Sequence, residues 1–122
     1  MADYQPLFNP GKAYTRQTSA AVIGGQLVVI SGSGTVAPAS VATHSWLGVA
    51  GFDAASGANV TVFSEGVQRI VATGSITAGA NVEAAAAGTV AAHTNGTADQ
   101  NIIGVALNTV TAGQLAEVSL SR

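Results

Sequence analysis

Two glycine-spaced phrases constrain this chain more than any other feature. LGVAGFDAASGANVTVF, residues 47–63, is echoed by IGVALNTVTAGQLAEVSL, residues 103–120. Gly48, Val49, Ala50, Gly57 and Val62 recur as Gly104, Val105, Ala106, Gly113 and Val118, at a constant shift of 56 positions (48 to 104). In each copy an apolar GVA strand leads through a small-residue loop to a tight turn at Gly57 or Gly113. An alternating strand follows, with Val60 and Val62 on one face in the first copy and Val118 and Leu120 in the second. Weaker echoes are GGQLVV, residues 24–29, and AGANVEA, residues 78–84. Strand, glycine turn, strand is thus an architectural unit, used repeatedly to build a small antiparallel barrel or sandwich.

The rest of the chain from residue 19 follows the same grammar. AAVI and QLVVIS are β-branched runs joined through Gly24-Gly25, and GVQRIVA continues beyond Gly66, read as a bulge or turn. Asn95-Gly96 is a two-residue hairpin signal. Four consecutive alanines, residues 84–87, favour a helix by propensity, but Gly79 and Gly88 leave room for only two turns. Strands joined by a short turn are favoured there, with a short helix as the alternative. The expected fold is all-β, a single compact domain over residues 19–122 with at most one or two short helices.

Residues 1–18 differ. They hold Pro6, Pro10 and Gly11, both tyrosines, and two of the four cations, Lys12 and Arg16. Prolines and glycine at these positions prevent a regular helix or a central strand. Tyr4, Leu7 and Phe8 make the segment too apolar for a solvated tail. It reads either as a frayed terminus or as an extended arm that orders on a partner.

Only 8% of residues are charged, against about 25% in an ordinary soluble domain. A folded protein so poor in charge presents Ala, Ser, Thr, Gly and Asn outward, a surface suited to burial against other subunits. No apolar run approaches the ~18–20 residues of a membrane span, and no apolar leader segment is present at the N-terminus. Four basic residues against six acidic ones give no footprint for phosphate, so nucleic acid is not an expected partner. With no cysteine, there is neither a disulfide framework nor a thiolate metal site.

The chemistry-bearing residues form no catalytic pattern. Gly32, Gly34 and Ala37 fit G-x-G-x-x-A, with Asp53 about 20 residues on, but Pro38 and the following ASVATHSW supply no helix to meet a pyrophosphate. No serine sits in G-x-S-x-G. His44 and His93 read as surface or interface residues without a nearby carboxylate pair, a poor metal site. The N-x-T matches at Asn59 and Asn95 carry nothing without a secretory signal. No enzyme activity, cofactor or metal is expected. Trp46, the only tryptophan, is read either as an interface anchor or as a cap on the core.

The order of these phrases resembles the small capsid-decoration, or cement, proteins of tailed bacteriophages. The sequence runs from Pro10-Gly11 through AAVIGGQLVVISG, LGVAGFDAASGANVTVFSEGV and AGANVEAAAAGTV to IIGVALNTVTAGQLAEVSL, and the similarity spans roughly residues 10–122. It departs by a longer segment, SGSGTVAPASVATHSW, before GVA. The resemblance implies a compact β-tulip-like fold, trimeric on the outer surface of the virion capsid, after synthesis in the host bacterial cytoplasm. It implies homotrimers at threefold and quasi-threefold positions of the expanded shell, with the major capsid protein as partner. The arm residues Tyr4, Pro6, Leu7, Phe8 and Pro10 would then reach that protein. Two rival readings are a carbohydrate-binding β module on the virion surface, with Trp46 stacking on a sugar, and a tail or head–tail component.

Overall fold

The structure, a computed structural model, describes residues 13–121. Its first half holds β1 (Tyr14–Thr18), β2 (Leu27–Gly32), β3 (Thr35–Pro38), β4 (Trp46–Ala50) and β5 (Asn59–Phe63). Its second half holds β6 (Val67–Val71), β7 (Asn81–Ala85), β8 (Thr89–Ala92), β9 (Ile102–Ala106) and β10 (Leu115–Leu120). Single-turn 3-10 helices at Ala86–Gly88 and Asp99–Asn101 are the only helical pieces among the described residues. The fold is all-β, as the alternating apolar residues require.

The first five strands close into a barrel in the order β1-β3-β2-β4-β5, with β5 pairing back onto β1. Every pairing in it is antiparallel except β1–β3, where Gln17 faces Thr35 and Thr18 faces Val36 in parallel. The second five run β6-β10-β9-β7-β8, and a parallel bridge from Ala72 to Val90 brings β6 round to β8. A shift of 54 positions up to His93, and 56 beyond it, lays one half on the other. The Ala72–Val90 bridge falls on the Thr18–Val36 pair, and Ile76–Val110 falls on Val22–Ala54.

Backbone hydrogen bonds obey the same mapping. Thr18 N donates to Ala58 O at 2.8 Å, and Ala72 N to Gln114 O at 2.9 Å. Gly25 N donates to Ala50 O at 2.8 Å, and Gly79 N to Ala106 O at 2.7 Å. Ala39 N donates to Leu27 O at 2.9 Å, and His93 N to Asn81 O at 2.8 Å. The repeated unit is therefore larger than strand–turn–strand: it is a whole five-strand half.

The repeated glycines now have a cause. A Cβ on Gly48 would collide with the carbonyl of Phe63, and one on Gly104 with the carbonyl of Ser119, its counterpart. Each GVA strand crosses its partner too closely for any side chain at that position. Gly57 and Gly113 turn at φ +85° and +84°, in the left-handed region open to glycine.

Two apolar clusters form the core. Val22, Val28, Val36, Ala50, Val60 and Val62 fill the first barrel. The larger cluster lines the second five-strand sheet, which the single Ala72–Val90 bridge curls round, and runs out onto the outer face of the first barrel through Leu27, Ala39, Trp46 and Val49. At this junction Gly88 N donates to Ala39 O at 2.9 Å and Gln26 Nε2 donates to Ala87 O at 3.1 Å. The larger cluster thus spans both halves.

Several expectations change. Tyr14–Thr18, assigned above to the arm, is strand β1, because pairing with both β5 and β3 fixes it in the barrel. Residues 1–12 of the expected arm lie outside the described residues. AAVI contributes only the bridge at Val22 rather than a strand. Asn95-Gly96 is no hairpin turn: β8 pairs with β7, and the pair sits in the loop leading to β9. The alanine run splits between β7 and a 3-10 turn, since β7 is hydrogen-bonded on both sides and buries Val82 and Ala84. Those gains outweigh alanine's helix propensity.

Candidate functional site

Of the residues singled out in the sequence, Tyr4, Pro6, Leu7, Phe8 and Pro10 lie outside the described residues. Trp46 opens β4 with its side chain turned into the core, and the residue is 1% exposed. The interface alternative for Trp46 gives way: it packs in the cluster that joins the two halves. A tryptophan so placed offers no face to a sugar ring. His44 is exposed on the loop before β4.

His93 corrects the expectation of a surface histidine. Its residue is 8% exposed, directly after β8. Nδ1 lies 2.6 Å from Glu83 Oε1 on β7, and Nε2 lies 2.9 Å from Asp99 Oδ1 in the second 3-10 turn. Gly96 N also donates to Asp99 Oδ1, at 2.9 Å. A neutral imidazole donates through one nitrogen only, so both carboxylates are satisfied only by the imidazolium. The hydrogen bonds to Asp99 and then Glu83 hold the His93 pKa above its ordinary value. His93 and the Gly96 amide in turn hold the Asp99 carboxyl below its own. With both nitrogens engaged, His93 has none left to act as a general base, so the cluster is a brace. It ties β7 and β8 to the loop before β9.

Two hollows stand out among the described residues. A pocket of about 290 Å³ opens at one mouth of the first barrel, where Arg16, Ile30, Gly34, Val36 and Leu47 meet. A groove of about 260 Å³ runs between the halves, where Ile23 faces Val71 and Leu115 across Gly88. Ile23 is 61%, Val71 40% and Leu115 52% exposed. Val71 and Leu115 are direct partners across β6 and β10. Their counterparts in the first half, Gln17 and Asn59, are likewise partners across β1 and β5 and are polar. The fold accepts polar residues at these positions, so it does not itself require the exposed apolar pair.

The geometry is one of surfaces. What sequence reasoning missed, the histidine brace and the two hollows, arises where separate strands meet, and no local pattern announces it.

A search of curated proteins finds no match. Among solved structures the chain is similar to the N base of the head fiber gp8.5 of bacteriophage phi29, with a TM-score of 0.71 at 20% identity. The alignment covers 89% of this chain and 92% of that one, a likeness of fold. The family model described as phage cement protein matches residues 8–120, β1 through β10 included. The chain belongs to the phage cement protein family, and its role is a structural, capsid-associated one.

Proposed function

We propose that the protein binds the outer surface of the expanded capsid and strengthens the shell, as homotrimers at threefold and quasi-threefold sites. The observation that carries this is the family match over almost the whole of a fold built from surfaces and braces. The sparsely charged exterior and the apolar groove at Ile23, Val71 and Leu115 suit a protein that works by contact. Each copy bridges neighbouring major capsid subunits, and many copies on a symmetric lattice sum weak contacts into a firm clamp.

The N-terminal residues supply the reach. Twelve extended residues span about 40 Å, and Tyr4, Leu7 and Phe8 are apolar anchors between Pro6 and Pro10. An arm of this kind adds main-chain bonds at a capsid strand edge while its side chains fill pockets.

The test is co-sedimentation with expanded capsids of the phage that encodes the protein. A variant lacking residues 1–12 keeps β1 intact and should bind at least tenfold more weakly than the full chain. Equal binding would remove the arm from the account.

A further inference from the structure

We infer that the free edge of β6 takes up an extended segment of a capsid subunit, which adds a further strand to the second sheet and brings a carboxylate to Arg69. This rests on the capsid reading above and names the surface that meets the shell.

The first five strands close on themselves, whereas the second sheet begins at β6 and ends at β8. Only the single Ala72–Val90 bridge connects these two edges. On the β10 side, Ala72 N donates to Gln114 O at 2.9 Å, and Gly66 O accepts from Leu120 N at 3.0 Å. Backbone groups alternate in direction along a strand, so Gly66, Gln68, Ile70 and Ala72 turn theirs to β10. Val67 and Arg69 turn theirs the other way, where no described strand pairs with them. Such an edge is a template for one more strand. The groove of about 260 Å³ adjoins it, because Arg69 and Val71 line that groove together with Gly88, Thr89 and Ile23.

The side chains beside the edge are largely apolar. On the outer face of the sheet Val71 pairs with Leu115, Arg69 with Glu117, and Val67 with Ser119, which pairs in turn with Val105. Leu107 extends the middle row, its N–H donating to Glu117 O at 2.7 Å. Of the ten exposed large apolar side chains among the described residues, Val67, Val71, Val105, Leu107 and Leu115 all lie on this face. The first barrel carries Thr15, Gln17, Gly51, Asn59 and Thr61 where this face has Arg69, Val71, Leu107, Leu115 and Glu117. The same backbone thus bears a polar or small-residue face in one half and an apolar face in the other, and an apolar patch of this kind marks a contact surface.

Charge selects the occupant. Arg69 is exposed on this face and forms no ion pair among the described residues, not even with Glu117 directly across from it. A strand laid against β6 sets one of its residues opposite Arg69, and a carboxylate there completes an opposite-charge pair. The sheet edges of a second copy, VQRIV in β6 and TVAA in β8, hold no acid. That favours the capsid, with which this family associates, as the source of the strand.

The test is co-sedimentation of the full chain and its variants with expanded capsids, with circular dichroism as the check of folding. Val71→Gln combined with Leu115→Asn installs the first barrel's residues and should weaken binding by about tenfold or more. Arg69→Glu should weaken it as much, whereas Arg69→Lys keeps the charge and should stay within about threefold of the wild type. Arg69→Pro removes an edge N–H that β10 does not use, so the chain should fold and bind as poorly as Arg69→Glu. Val41→Glu, on the exposed loop before β4, should bind as the wild type does. Folded β6 and β10 variants with wild-type binding overturn the inference and leave the capsid reading intact. A wild-type chain that binds no shell refutes the capsid reading and the inference with it. Light scattering supplies the third outcome: self-association of the wild type that the same variants abolish assigns the edge to a second copy and overturns the inference.

Discussion

The two halves share a backbone and differ in what they show to the outside. Val28, Val36, Ala50 and Val62 inside the first barrel have Val82, Val90, Ala106 and Val118 as counterparts inside the second, and Gly48 has Gly104. These positions are dictated by packing and by the close strand crossing. Elsewhere the equivalent positions diverge: Leu27, buried at the junction, becomes Asn81, Arg16 becomes the buried Ile70, and the exposed Gln17 and Asn59 become Val71 and Leu115. What is repeated builds the five-strand half, and what has diverged sets apart the surface each half presents.

The largest expected effect falls at the junction. Trp46→Ala removes a fully buried side chain from the cluster shared by both halves and should cost about 3–5 kcal/mol. Ile102→Ala, at the equivalent half-buried position, should cost about 1–2 kcal/mol in the separated chain. Urea titration of both variants compares them, and equal losses would mean the halves are not used differently.

Next come the crossing glycines. Gly48→Ala and Gly104→Ala each force a methyl against a carbonyl and should each cost about 1–3 kcal/mol. Here the halves should agree, and a large loss in one with none in the other would break the equivalence of the two crossings.

The smallest effect is confined to the second half, because Ala39 stands where His93 stands. A raised His93 pKa contributes stability that is complete below about pH 6.5 and is lost as pH rises through the folded value. A lowered Asp99 pKa contributes stability that is complete above about pH 3.8 and is lost as pH falls through its folded value. The melting temperature should therefore hold between those limits and decline on the alkaline side. His93→Gln should flatten that decline, and an unchanged profile would remove the brace.

The sequence made the barrel grammar legible because period-two alternation and glycine spacing are local signals, as in NVTVF around Val60 and Val62. It made half of the duplication legible. The 56-residue shift is clear from Gly48 onward, but the earlier strands map at 54, and Leu27 against Asn81 or Arg16 against Ile70 hides the kinship. Hydrogen-bond geometry keeps it. Trp46 was ambiguous because its burial depends on the second half folding against the first. The histidine brace was illegible because Glu83, His93 and Asp99 sit on three separate segments that meet only once β7, β8 and the following loop are in place. Asn95-Gly96 misled because a turn signal does not say which strands it joins.

The most direct test of the capsid role is saturation binding of the purified full chain to expanded capsids, with unexpanded shells as control. The account predicts saturable binding to the expanded shell alone, with three copies for each threefold site. Binding to neither shell, or equal binding to both, would contradict it.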